Sequence, residues 1–238
     1  MVSAPTALRR KYDPTVYPSE DFMGEGSLQR FITELLREQI ERWLHQQKKP
    51  WFVGANQFIY WKQFDPSRKI APDVFFLPGV KPGIKIDSWK IWETSIIPPL
   101  AIEVVSQDYL KDYSDGPPSY NELGVKELII FDPDFDTLRS ERMRFQVFRR
   151  IGKRGLVRVE ATNAKHVKSR VLGCSLRSVG TDPDMVRLRL ATGPEGEQIF
   201  PTEAEAEHAA REAEHAARVE AEVEITRLRA ELKRLRKP

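Results

Sequence analysis

Two acids interrupt runs that are otherwise apolar. Asp73 follows Pro72 and opens the run Asp73-Val-Phe-Phe-Leu77, and Glu103 lies inside Leu100-Ala-Ile-Glu-Val-Val105, just after Pro98-Pro99. Both runs have the length and content of buried strands. An ionised carboxylate in such a strand is costly unless it is paired or bound to a metal, and an unpaired one takes up a proton near neutral pH. One explanation is structural: each acid stands at a strand end, caps a neighbouring loop, or pairs with Lys69 or Lys90. The other is catalytic. Two carboxylates on adjacent strands can hold Mg²⁺, which takes hard oxygen ligands, keeps several waters, and can activate one against a phosphodiester. Spacing alone does not choose between them.

The surrounding elements must bring these acids together. Ser27 stands as an N-cap before a segment in which Leu28, Phe31, Ile32, Leu35, Leu36, Ile40, Trp43 and Leu44 recur at helical spacing, so an amphipathic helix is expected. From Trp51 the period changes to an aromatic, β-rich run, broken by a turn at Asp65-Pro66-Ser67. Residues 117–123 form at most a short helix, with Pro117-Pro118 in its first turn and Gly124 as its C-cap. Leu128-Ile-Ile-Phe131 is a third buried strand. Phe145-Gln-Val-Phe148 and Leu156-Val-Arg-Val159 alternate as a hairpin around Gly152 to Gly155. The expected core is therefore mixed α/β, and residues 1–26 read as an extended N-terminal arm.

After Thr202 the composition shifts to Ala, Glu and Arg, and the heptad EAEHAAR occurs at 205–211 and again at 212–218. An apolar seam runs through Ala206, Ala210, Ala213, Ala217, Ala221, Ile225, Leu228, Leu232 and Leu235, a heptad pattern with one inserted four-residue step. Residues 201–238 thus read as a coiled coil, joining two copies of the chain as a homodimer through 201–236. Ile225, Leu228, Leu232 and Leu235 supply most of its buried area. A solitary solvated helix is the rival reading.

Composition narrows the remaining choices. The chain has 238 residues, 40% of them hydrophobic, enough for one good-sized core plus an appendage. It carries no apolar run that could span a bilayer and no signal-peptide pattern, so the expectation is a cytoplasmic protein with no membrane partner. The single Cys174 rules out an internal disulfide and a thiolate metal site. Four scattered histidines make no metal site of their own. The formal charge of +3 is too small to argue for nucleic acid. Locally, though, Arg139, Arg142, Arg144, Arg149, Arg150, Lys153, Arg154 and Arg158 face a single acid, Glu141. That stretch either neutralises phosphates or is a solvated hairpin face. Of the five tryptophans, Trp43, Trp51 and Trp61 read as core, and Trp89 and Trp92 as candidates for base stacking.

The order of parts, helix, strand, Pro-Asp, then apolar-Glu-apolar-apolar and a helix, resembles PD-(D/E)XK nucleases. The local text resembles one family among them, the bacterial Uma-two restriction-endonuclease-like proteins. The matching residues are Tyr17-Pro-Ser-Glu-Asp21, Asn56 to Trp61, Ala71 to Phe75, Trp89 to Glu93, Pro99 to Ser106, Tyr120, Leu123 to Glu127, and Phe131-Asp-Pro133. Further matches are Ser169 to Leu176, Leu188 to Leu190, Thr192-Gly193 and the Glu/Ala/Arg-rich tail.

The resemblance implies a restriction-endonuclease-like core at 27–200, with a mixed sheet and flanking helices. It implies a metal-dependent endonuclease acting on DNA, with Mg²⁺ or Mn²⁺ held by Asp73 and Glu103. Glu25 matches a family acid that completes the metal site, although an acid in a first turn also suits the helix dipole. The pattern wants a lysine two residues after the glutamate, where Val105 stands, or four residues before Tyr120, where Gly116 stands. Lys111 is the nearest basic residue and the candidate substitute helper, and Lys126 or Lys90 could also reach in, but none occupies the expected place. Two alternatives stay open: an inactive DNA-binding relative, for want of such a lysine, and an interaction scaffold whose important part is the coiled coil.

Overall fold

The computed structural model describes residues 13–17, 27–48, 50–106, 111–136, 142–180 and 185–235, without the side chains of Ser27, Lys111 and Lys233. In chain order the elements are α1 (Ser27–Gln46), β1 (Trp51–Gly54), β2 (Ile59–Tyr60), β3 (Lys69–Ile70), β4 (Val74–Pro78), β5 (Trp89–Lys90), α2 (Ile91–Thr94) and β6 (Leu100–Val104). A π-helical turn, Lys111–Asp115, runs straight into α3 (Gly116–Leu123). Then come β7 (Glu127–Phe131), β8 (Phe145–Arg150), β9 (Leu156–Thr162), β10 (His166–Ser169), β11 (Cys174–Val179), β12 (Arg187–Thr192), β13 (Gln198–Ile199) and α4 (Glu203–Leu235). Two compact units divide the chain after Ile199.

In the first unit a six-stranded mixed sheet has the order β1-β4-β6-β7-β8-β9, in which only β6 and β7 run parallel. The parallel pair needs a crossover, and the π-helical turn with α3 supplies it. β7 is buried along its whole length, and β4 and β6 almost so, which is why they read as unbroken apolar runs rather than alternating ones. On one side Phe75, Leu77, Ala101, Leu128 and Ile130 pack with Tyr120 and Leu123 of α3. α1 lies against β1, β4, β6 and β12, burying Ile32, Leu36, Ile40 and Leu44. A three-stranded sheet, β3-β2-β5, and a four-stranded sheet, β10 to β13, complete the unit. The fold is the mixed α/β arrangement expected from the sequence.

Several local readings come out differently. Phe31, counted on the apolar stripe of α1, is half exposed and carries the Arg187 guanidinium over its ring. Trp89 is buried in the core, its indole N–H donating to the Ile96 carbonyl, so it offers no stacking face. Part of the basic hairpin is tied into the fold, while Lys153, Arg154 and Arg158 are exposed. Arg142 pairs with Asp132, Arg149 with Glu127, Arg150 donates to the Val125 and Asn121 carbonyls, and Arg158 donates to Gln146. Arg139 lies outside the described residues. Cys174 is buried as a small core residue, and burial pushes its thiol up to about 12.

The second unit, residues 200–238, contains α4, a helix of 33 residues, or roughly 50 Å of rise. No described helix is long and apolar enough to cross a membrane.

Candidate functional site

The ladder between β4 and β6 sets Val74 opposite Ile102 and Phe75 opposite Ala101. One pleat further, Asp73 falls beside Glu103, at the carboxyl end of β6 and the start of β4. The two acids, 30 residues apart in sequence, meet because an antiparallel register with those two pairs leaves them no other place. Glu103 accepts the Asp73 backbone N–H at 3.4 Å, and Asp73 accepts the Val104 backbone N–H at 2.6 Å. Asp73 thereby takes the place at the end of the β4–β6 ladder that a backbone carbonyl would otherwise fill.

Other elements hold the pair from outside. Gln29, in the first turn of α1, donates to both Asp73 oxygens at 3.1 and 3.4 Å. The Tyr120 hydroxyl, on α3, donates to Glu103. Gly124 at φ +98 closes α3 by donating to the Tyr120 carbonyl, a left-handed conformation suited to glycine, and so fixes the turn that carries Tyr120. Asp112, in the π-helical turn, accepts the Ser106 backbone N–H at 3.1 Å and adds negative charge near both acids. The neighbouring Tyr113 donates to buried Asp132 at 2.7 Å, and Arg142 grips that same carboxylate through two nitrogens. The π-helical turn is thereby anchored to the end of β7.

This geometry strains the charge of the pair. Burial pushes the Asp73 carboxyl up to about 7, with the Asp112 charge adding to it, while the hydrogen bonds from Val104, Glu103 and Gln29 oppose the rise. Glu103 is raised well above the ordinary carboxylate range, first by burial and then by the Asp73 charge, with the Tyr120 hydroxyl opposing. Asp73 is only 4% exposed, whereas Glu103 keeps partial access to solvent. Neither Lys69 nor Lys90 answers the charge: the first lies over the Phe58 ring and the second over the Tyr17 ring.

A hard divalent cation is chemically suited to such a pair, since Mg²⁺ needs only one or two protein carboxylates and completes its shell with water and substrate oxygens. Among the described residues no group of three or more His, Cys, Asp and Glu side chains is placed to share an ion. Glu25 lies outside the described residues, and of Lys111 only the backbone is described, at the start of the π-helical turn. A groove of about 770 Å³ runs between α1 and the end of β1, lined by Arg30, Glu34, Arg37, Gly54 and Gln57 among others; the two acids do not line it.

The family model described as "Putative restriction endonuclease" (Uma2) matches residues 22–177, more than half of the sequence and all of the site just described. The chain belongs to this family. Among solved structures, the chain is similar to one described as a "putative nuclease" of the DUF820 group from Anabaena variabilis, at 13% identity, covering 63% of this chain and 76% of that one with a TM-score of 0.42. No curated protein matches. Gln29, Asp112 and the Tyr113–Asp132–Arg142 anchor are the parts of the site that spacing did not reveal. Gln29 reads as one more exposed polar residue in a helix start, and only the position of Asp73 after Pro72 hints that something must receive it.

Proposed function

We propose that this Uma2 family member is a divalent-metal-dependent nuclease that hydrolyses DNA phosphodiesters, with Asp73 and Glu103 as the residues that hold the ion. The observation that supports this most is the carboxylate pair itself: two neighbouring, largely buried acids with no cation among the described side chains to offset them. A divalent ion there would supply Lewis acidity toward a phosphodiester and a nearby water. The chain's own residues do the positioning. Gln29 and the Val104 N–H orient Asp73, Tyr120 orients Glu103, and the anchored π-helical turn keeps Asp112 and the Lys111 backbone near the pair. Lys111 is the candidate electrostatic helper, and Glu25 the candidate third acid.

Nicking of supercoiled plasmid in Mg²⁺ or Mn²⁺ tests the reading. The wild type nicks and Asp73→Asn, which keeps an oxygen for the Val104 N–H, does not; equal nicking by both would remove the proposal. A second reading, binding of DNA without efficient cutting, is favoured by the two places where a catalytic lysine is missing. Val105 is buried in the core, 3% exposed, and Gly116 begins α3 without a side chain.

A further inference from the structure

The last turns of α4 carry four large apolar side chains with no cover: Ile225 and Leu228 are each 48% exposed, Leu232 55% and Leu235 77%. Their 3-4-3 spacing puts them on one helix face. Exposed ion pairs such as Glu207–Arg211 and Arg218–Glu222 can support a solitary helix. They give no reason for isoleucine and leucine to recur at seam spacing.

We propose that this face is covered by the same helix of a second copy, parallel and in register. With Ile225 and Leu232 at the a positions and Leu228 and Leu235 at d, the flanking g positions are Glu224 and Glu231 and the flanking e position within the helix is Arg229. In a parallel, in-register pair each g residue faces the e residue of the partner's next heptad. Glu224 then meets Arg229 of the second copy. An antiparallel pair sets g against g and e against e, so glutamates face glutamates and arginines face arginines. Charge therefore selects the parallel form, and leucine at d with isoleucine at one a position suits two strands. The 3.5 Å contact of Glu224 with Arg227 in the same helix is exposed on both sides and worth little, so it exchanges readily for the partner. The alanine half buries much less area per residue and follows the zipper rather than driving it. Two parallel helices place both copies' Glu203 ends at the same end of the pair.

This inference does not depend on what Asp73 and Glu103 do. It is tested on the full chain carrying Leu228→Cys, Leu235→Cys or, off the seam, Ala230→Cys; native Cys174 is buried, and the wild type is the control. Under mild oxidation the first two are expected to give a covalent species of twice the chain mass, and Ala230→Cys and the wild type not to. Antiparallel helices that bring Leu228 beside its own copy put Leu235 opposite Ala221, so cross-linking at only one of the two positions overturns the orientation. Equal cross-linking at Ala230 reveals random collision and overturns it too. By equilibrium sedimentation the wild type should run at twice the chain mass at high concentration, and Leu228→Glu with Leu232→Glu at the single mass. A wild type that stays at the single mass throughout overturns the pairing itself.

Discussion

Asp73 accepts a 2.6 Å hydrogen bond from the backbone N–H of Val104, the residue that follows Glu103 in the neighbouring strand. The strand ladder thus ends on a carboxylate instead of a carbonyl. The same bond that finishes the sheet fixes where one acid stands relative to the other, so the site's geometry is part of the fold's hydrogen bonding rather than an addition to it.

That placement has a pH signature. A carboxyl whose folded-state value is raised from 3.8 to about 7 binds its proton more tightly folded than unfolded. The resulting stability is fully present below the ordinary value and is lost as pH rises through about 7. Glu103 shifts in the same direction. In the presence of a chelator, the melting temperature should therefore fall between about pH 4 and pH 7, and the fall should be shallower in Asp73→Asn. A profile that is the same in both proteins would show that Asp73 carries no such linkage.

Arg142→Ala should cost about 3–5 kcal/mol in urea unfolding, because it strands the Asp132 carboxylate, which is fully buried and gripped at 2.5 Å by one guanidinium nitrogen. Removing both partners with Asp132→Ala and Arg142→Ala should recover part of that loss. Since Tyr113 leans on the same carboxylate, amide exchange over residues 111–115 should quicken in Arg142→Ala. Exchange unchanged there would mean that the anchor does not hold the π-helical turn.

Gly116 stands four residues before Tyr120, on the same face of α3, and its backbone is not in the left-handed region; Pro117 follows it, so a lysine there brings its Cβ against the proline ring while its ammonium lies on the Tyr120 face. If the wild type is impaired for want of that cation, Gly116→Lys should raise Mg²⁺-dependent plasmid nicking by on the order of 10²–10³, the effect of one preorganised charge-stabilising group. No gain over a weakly active wild type would mean that another group already fills the role.

That Asp73 and Glu103 belong together in one candidate site was legible because burial makes acids conspicuous. Asp73 and Glu103 stood out as charges in strands that had no room for water, and the Pro72 and Pro99 breaks located the strand starts. The helix at 117–123 was legible from its prolines and Gly124. The partners were not. Gln29 differs in nothing from a solvent-facing helix residue until α1 is laid against β4. The arginines at 142, 149, 150 and 158 look like a basic patch because a one-dimensional string shows their charges but not the buried Asp132 and Glu127, or the open carbonyls, that they return to. Trp89 misled for a related reason: its neighbours are polar in sequence, yet the small β3-β2-β5 sheet folds it inward.

The most direct test is divalent-ion titration calorimetry on the wild type, Asp73→Asn and Glu103→Gln. Saturable heat with Mg²⁺ or Mn²⁺ is expected in the wild type, stronger as pH rises through about 7 while the Asp73 carboxyl loses its proton, with loss of that heat in both variants. Equal heats in all three proteins, or none in any, would contradict the assignment of the ion to Asp73 and Glu103.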